Sequence, residues 1–242
     1  MISSVFVVWR DSKTSMWHPV AKLTRTQDGY RFNYTKGAIN KKFKPFVFMD
    51  RLASVYEGEE LPPFFANRVI GKERPEFKKV NNWSDLVFDG ENYLDILGRT
   101  GGGRVTDEFR IVPCPVEKDG KYSLKFFVNG IRYLDESQQV VVNKLLPGDE
   151  LEFVKEDSNS YDQMALRIDQ KEGVQIGYCP RYLSPEFRRI IEDPEIEGYT
   201  LKVSKNNQDA PSAFKILCEF SSHWPKDHRP MVSDEYLAIL ND

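Results

Sequence analysis

The spacing of hydrophobic and polar positions changes every few residues along the first half of the chain, which is typical of mixed short strands and helices. Runs of aromatic and β-branched residues predict strands at SVFVVW, YRFNY and DEFRIVP. Apolar residues three or four positions apart predict short helices at EELPPFFANRVI, RPEFKKVNNW and NYLDILGRT. In the first of these helices, two prolines suit the first turn, and Phe64, Phe65 and Val69 form its apolar face.

The second half of the chain is mostly strand-like. Short apolar or alternating runs predict strands at LKFFVNGIRYL, ELEFVKE, MALRID, VQIGYC, YTLKVSK and SAFKILCEF. One helix is predicted at residues 185–192, with Ser184 as its N-cap. Many short strands with one helix predict a small β-barrel.

The segment PCPVEKDGKY at residues 113–122 predicts a domain boundary, because prolines, a glycine and alternating charges interrupt both patterns. We therefore predict an α+β protein. Its regions are an α+β domain at residues 1–115, a barrel at residues 122–222 and a C-terminal tail with a short helix at residues 223–242.

Composition narrows the class of protein. Hydrophobic residues make up 40% and charged residues 29% of the 242 residues, which excludes a disordered chain. A net charge of -3 argues against a protein that coats nucleic acid by bulk attraction but leaves room for a local basic site. Three cysteines without a C-x-x-C pair fit a reducing compartment. Without a signal-peptide pattern or an apolar run of about 18 residues, we expect a cytoplasmic protein.

Patterns that would carry catalysis or bind a metal are incomplete. The loop GRTGGGR at residues 98–104 lacks the lysine and helix start of a phosphate-binding loop, so we interpret it as a flexible or interface loop. Cys218, His223 and His228 are regularly spaced, but a structural zinc site needs four ligands. No nucleophile elbow or kinase signature is present. We therefore expect a protein that is not an enzyme and holds no metal or cofactor.

Aromatic and basic residues recur at the ends of three predicted strands. Tyr161 lies in the polar turn SNSYD beside an aspartate, FFVNGIRY ends in Arg132 and Tyr133, and VQIGYCPR ends in Tyr178 and Arg181. Two tyrosines can sandwich a base, arginines can contact phosphates, and a carboxylate can accept a sugar hydroxyl. The pattern is compatible with nucleic-acid binding, but the residues alone favour ordinary turns with half-exposed tyrosines.

These segments resemble the HIRAN domain, a small OB-like β-barrel at the N-terminus of certain fork-remodelling helicases that is also free-standing in bacteria. The resemblance covers roughly residues 124–220. It rests on GIRY, on the N-x-Y-D-x-x-A pattern within EDSNSYDQMALRID, and on G-Y-x-P-R within VQIGYCPR.

Eukaryotic members of that family recognise the 3′-hydroxyl end of single-stranded DNA, so the resemblance implies DNA-binding residues here. Tyr133 and Tyr161 would flank the terminal base, and Asp162 would meet its hydroxyl. The implied backbone contacts are Arg132, Asn159 and Arg181. The sequence departs from the family at Met164, where Asn is usual, and at the candidate contact Tyr178, where some DNA-binding members carry His.

The first half resembles the N-terminal subdomain of HipA-type toxin kinases. The segments YEGEELPPFFANRVIGKERPEF and YLDILGRTGGGRV carry the resemblance, which covers about residues 4–112, although Val69 and Ile70 replace the usual paired leucines. No kinase body follows. The resemblance therefore implies a bacterial antitoxin that docks on a HipA-like Ser/Thr kinase. The expected exposed contact is the glycine-rich loop, namely Gly101, Gly102, Gly103 and Arg104.

Two functions follow from these resemblances. The first is a non-catalytic, DNA-binding regulator of a HipA-like kinase toxin. The second is a DNA-end-binding accessory protein of a repair or phage-defence complex without a kinase partner. A hydrolase or nuclease is a third possibility, but the sequence shows no clustered Asp, Glu and Lys residues for a catalytic metal core.

Overall fold

The strands of the described residues form two antiparallel sheets, one of five strands and one of six. The computed structural model describes residues 2–87, 93–104, 108–226 and 229–240. Residues 105–107, which follow the predicted loop, and His228 lie outside these ranges. The chain divides into unit 1, made of Met1–Asn81, Leu86–Cys114 and Arg229–Asp242, and unit 2, made of Asn82–Asp85 and Pro115–His228.

Helices and strands are mixed in the described residues, so the predicted α+β class is confirmed. None of the helices in the described part of the chain has the length and apolar character needed to cross a bilayer.

The elements of the first half include all those predicted from the sequence there. The strands are β1 (Ser4–Arg10), β2 (Trp17–Thr26), β3 (Gly29–Tyr34), β4 (Val55–Gly58) and β5 (Phe109–Pro113), and the helices are α1 (Pro63–Ala66), α2 (Glu76–Trp83) and α3 (Tyr93–Thr100). The strand order is β4-β3-β2-β1-β5.

The sequence did not predict β2, because Pro19 interrupts its pattern. The sheet accommodates Pro19 where the register shifts between Val7 and Val8.

An aromatic cluster forms the core of unit 1. The buried Tyr34 hydroxyl donates to the Met49 carbonyl (2.5 Å) and accepts from the Phe46 amide (2.8 Å), and burial raises the pKa of Tyr34 to about 12. Phe65 is fully buried, and the half-buried Phe64 packs with its ring centroid 4.1 Å from that of Phe46. Both phenylalanines of α1 therefore pack internally, as predicted.

The expectation that the whole glycine-rich loop is exposed is wrong. Gly101 and Gly102 are buried at the end of α3 with φ angles of 74° and 53°. The Gly101 carbonyl accepts the Ile111 amide of β5 (2.8 Å), and a Cβ at Gly102 would lie 2.7 Å from Ile111 Cδ1. These two glycines therefore allow a left-handed turn to pack under β5. Gly103 and Arg104 remain exposed.

Residues 229–240 cluster with unit 1, although the sequence predicted a separate tail. The Ile239 amide donates to the Tyr34 carbonyl (3.1 Å), and His18 Nδ1 lies 3.0 Å from Glu235 Oε1. The hydrogen bond to Glu235 raises the pKa of His18. The segment contains a 3₁₀ turn where a short helix was predicted.

The sheet of unit 2 is curled. Its strands are β6 (Lys121–Phe127), β7 (Glu150–Lys155), β8 (Leu166–Gln170), β9 (Gln175–Tyr178), β10 (Tyr199–Asn206) and β11 (Ile216–His223), and its helices are α4 (Glu136–Lys144) and α5 (Ser184–Ile191). The strand order is β6-β11-β10-β7-β8-β9. Beyond the end of β6, Asn129 and Tyr178 exchange two backbone hydrogen bonds of 2.8 Å each. This bridge joins the two edge strands and closes the sheet at one point.

The prediction of a single helix in this unit is wrong, because α4 precedes β7. The Asp135 carboxylate accepts the Gln138 amide (2.9 Å), and the Gln138 side-chain oxygen accepts the Asp135 amide (3.0 Å), which forms a capping box. The three consecutive valines at residues 140–142 favour a strand in isolation. The cap and the tertiary contacts of the buried Val142 outweigh that preference.

The predicted strand LKFFVNGIRYL ends early. β6 stops at Phe127, and Gly130 then adopts a left-handed conformation with φ of 84°. Ile131–Tyr133 forms a 3₁₀ turn. Tyr133 therefore lies on a turn after the strand and not at the strand end that the sequence predicted.

The helix predicted at residues 185–192 corresponds to α5, but its first residue is Ser184 and its N-cap is Leu183. Ser184 is therefore inside the helix, and the prediction of its capping role is wrong. Phe187 of α5 is fully buried and stacks on Phe220 of β11 with ring centroids 4.4 Å apart. Burial of such a side chain stabilises the fold by about 1.5–3 kcal/mol.

Gly177 is the residue that permits the closing bridge. Its φ is +146°, and a Cβ there would lie 2.4 Å from Val128 Cγ1 and 2.5 Å from the Asn129 carbonyl oxygen. We predict that Gly177→Ala destabilises unit 2 by about 2–4 kcal/mol, measured by urea denaturation. The control is Gly198→Ala, since Gly198 has φ of +114° with open space around it. Equal losses in both variants would contradict the role of close approach.

Candidate functional site

A pocket of about 410 Å³ opens in unit 2 at the closing bridge. Its volume falls in the range of small-ligand sites. All of the predicted DNA contacts except Arg132 line it, and they are Tyr133, Asn159, Tyr161, Asp162, Tyr178 and Arg181. Lining residues that the sequence did not single out include Asn129, Gln138, Gln175 and Cys179. The structure thus brings together side chains from three segments that are distant in sequence.

Arg132 lies next to this pocket but does not line it. Its guanidinium carbon is 4.6 Å from the centre of the Tyr133 ring, and the guanidinium also donates to the Tyr133 hydroxyl. A cation over an aromatic face is attracted by the ring quadrupole. Arg132 therefore holds the Tyr133 ring from outside the pocket.

The turn that carries Tyr161 is organised by Asn159. Its side-chain oxygen accepts the amides of Tyr161 (2.9 Å) and Asp162 (3.2 Å), and its side-chain nitrogen donates to Glu156 (2.8 Å). The Tyr161 side chain is 87% exposed and that of Tyr133 is 76% exposed. Tyr161 is therefore not part of the core, and both phenol rings present accessible faces.

A buried arginine that the sequence did not reveal anchors the end of the same turn. Arg188 of α5 donates from Nε to the Met164 carbonyl (3.1 Å) and from Nη2 to the Ala165 carbonyl (2.8 Å). It also pairs with Asp157, and this bond lowers the pKa of the Asp157 carboxyl. The adjacent apolar positions of α5 predicted its buried face, but no sequence signal marks this arginine as a bridge to the turn.

Opposite charges meet in the pocket. Asp162 Oδ1 accepts the Met164 amide (3.0 Å), and Asp162 Oδ2 lies 3.4 Å from Arg181 Nε. Both side chains are only partly exposed. The pocket therefore presents a carboxylate and a guanidinium side by side, so it can accept a hydrogen bond at one point and bind an anion near it.

Tyr178 is positioned by a network behind the pocket. Its hydroxyl donates to Glu156 Oε2 (3.3 Å), and burial, followed by the Glu156 charge, raises the pKa of Tyr178. Arg167 holds Glu156 (3.2 Å) and binds both oxygens of Asp169 (2.8 and 2.7 Å), which raises the pKa of Arg167. Tyr178 remains a neutral phenol in this network.

The two cysteines of unit 2 are buried thiols. Cys179 lines the pocket but is buried, and burial raises the pKa of its thiol well above the usual value. Cys218 is buried in β11, and burial raises the pKa of its thiol too. Within the described ranges no group of three or more His, Cys, Asp or Glu side chains could hold a metal ion.

We predict that Arg188→Leu loosens the turn, because two carbonyl groups lose their donor. The amides of residues 159–165 should exchange with deuterium about tenfold faster or more, with smaller effects on strand amides. Arg189→Leu is the matched control, since Arg189 is 40% exposed and pairs with Glu186 on its own helix (3.1 Å). A similar exchange rate in both variants would show that Arg188 does not anchor the turn.

Comparisons with known proteins bear on unit 2. Two solved structures are similar to this chain, each at 19% identity. The HIRAN domain of human HLTF covers 50% of this chain over 93% of its own length, with a TM-score of 0.36. A protein from Lactobacillus plantarum covers 43% of this chain over 97% of its own length, with a TM-score of 0.34. No curated protein matches the chain.

The comparisons identify no family for the first half of the chain, and none of them supports its resemblance to HipA-type kinases. Residues 121–224 match the family model of the HIRAN domain. This match includes every residue of the pocket and confirms the resemblance found in the sequence of the second half. Residues 121–224 are therefore a HIRAN domain.

Proposed function

We propose that this HIRAN domain binds DNA and that its pocket receives the 3′ end of a single strand. The supporting observation is that Tyr133 and Tyr161, which come from separate segments, expose 76% and 87% of their surface at one pocket. Aromatic side chains of this kind stack on bases without regard to sequence, at about 1–3 kcal/mol per base. A terminal base is the part of a strand that can enter a pocket of this size.

Asp162 and Arg181 are suited to read the end of the strand. The Asp162 carboxylate can accept a hydrogen bond from a free 3′-hydroxyl, whereas a 3′-phosphate would place like charges together. Arg181, 3.4 Å from Asp162, can contact a backbone phosphate. The two side chains together favour a free hydroxyl end over a phosphorylated end.

We propose that the protein acts by binding, without catalysis, because its sequence contains no recognisable catalytic motif. The favoured role is that of an accessory protein that binds DNA ends within a repair or phage-defence complex. The proposal does not include a HipA-like kinase partner, since none of the comparisons supports that resemblance.

We predict that Tyr161→Ala weakens binding of a ten-nucleotide single strand by roughly ten- to a hundredfold, because one stacking face is lost. Fluorescence anisotropy with a labelled oligonucleotide measures this change. The matched control is Phe48→Ala in unit 1, which removes an aromatic side chain that is 81% exposed. Equal affinities of the wild type and both variants would exclude base stacking at Tyr161.

We predict that Asp162→Asn abolishes the preference for a free 3′ end. The wild type should bind an oligonucleotide with a 3′-hydroxyl more tightly than one with a 3′-phosphate. The asparagine removes the charge that repels the phosphate but keeps an oxygen for the Met164 amide. Competition between the two oligonucleotides gives the ratio of affinities. An unchanged ratio in the variant would assign end recognition to other residues.

A further inference from the structure

A second concavity, of about 220 Å³, lies beside the pocket in unit 2, and we call it the groove. It is formed by Arg132, by the second half of α4, and by the 3₁₀ turn Ser212–Phe214 with Lys215 after it. Its polar lining residues are Arg132, Gln139, Asn143, Ser212 and Lys215. None of the described residues that line it is acidic.

The groove and the pocket share a wall. Tyr133 lines the pocket while Arg132, stacked on its ring, lines the groove. The consecutive residues Gln138 and Gln139 of α4 likewise line one cavity each. A strand whose terminal base lies against Tyr133 therefore meets the groove as it leaves the pocket.

The chemistry of the groove suits a phosphodiester. Lys215 is half-buried, and its ammonium donates to the side-chain oxygen (3.1 Å) and the carbonyl (3.4 Å) of Gln208, which holds the cation at the groove. Arg132 supplies a planar guanidinium with several donors beside it. Asn143, Gln139 and Ser212 add neutral donors of the kind that position phosphate oxygens. Two cations in a chain with a net charge of -3 form a local anion site.

We propose that the groove is a phosphate subsite in which Lys215 and Arg132 bind the backbone of the nucleotides that precede the strand end. The inference rests on the proposed function, since it gives the path of a strand whose end lies in the pocket. It keeps for Arg132 the backbone contact that the resemblance implies and places that contact outside the pocket. Lys215 is the residue that the proposal adds, and so the test is built on it.

The experiment compares Lys215→Gln with the wild type on a dinucleotide and on a ten-nucleotide strand, both with free 3′ ends, across a series of salt concentrations. We expect the variant to bind the longer strand about two- to fivefold more weakly. The slope of log affinity against log salt should fall by about 0.7, the value for one lost phosphate contact on a single strand. Binding of the dinucleotide, whose single phosphate is assigned to Arg181, should change little. Lys215→Arg should restore both the affinity and the slope.

Lys121→Gln is the matched control, because Lys121 is exposed at the far end of β6 and carries the same charge. If Lys121→Gln weakens binding of the longer strand equally, Lys215 acts only through the overall charge of the protein, and the subsite proposal is overturned. Equal weakening of the dinucleotide would also overturn it, because Lys215 would then act on the pocket itself. If Lys215→Gln binds both strands like the wild type, the subsite fails while the pocket stands. If the wild type binds neither strand, the proposed function fails, and the subsite with it.

Discussion

The double hydrogen bond between Asn129 and Tyr178 is the contact on which the pocket depends. It joins the edge strand β9 to the segment beyond β6, and both bonded residues contribute to the lining. The approach is possible because Gly177 has no side chain where Val128 and Asn129 come close. Without this bridge the 3₁₀ turn with Tyr133 and the end of β9 would be separate loops. The glycine of the G-Y-x-P-R pattern thus acts through the fold, and the tyrosine and arginine of the pattern line the pocket.

A loop that bears an exposed aromatic residue gains little affinity unless it is ordered before binding, because ordering costs conformational entropy. The turn with Tyr161 is held at both ends and from within. Asn159 binds two of its amides, Glu156 links it to the Arg167 network, and Arg188 fixes the Met164 and Ala165 carbonyls. The phenol ring itself stays accessible. Rigid backbone with an exposed ring is the arrangement that a stacking surface requires.

Six of the seven DNA-contact candidates from the sequence line one pocket, whereas several predicted elements differ from the path of the chain. Residues with an unusual chemistry for their position, such as a tyrosine in a Ser/Asn/Asp turn, pointed to the pocket directly. Local propensity misled where tertiary contacts decide the outcome. The valines of α4 favoured a strand, and the apolar run up to Tyr133 hid the left-handed turn at Gly130. The glycine-rich loop looked mobile, although two of its glycines are buried under β5. Arg188 gave no signal, because its function depends on partners distant in sequence.

An acidic chain can bind a polyanion only where its cations are concentrated and its carboxylates are either neutralised or used. Around the pocket Asp157 pairs with Arg188, and Asp169 and Glu156 share Arg167, so part of their negative charge is compensated. Asp162 is bonded too, but it lies at the pocket wall, where a hydroxyl can reach it and a phosphate is repelled. A protein that coats DNA attracts the whole strand strongly. A protein that recognises strand ends attracts the strand weakly and makes specific contacts at its end. If the pocket binds DNA as proposed, this charge distribution would favour strand ends over internal segments.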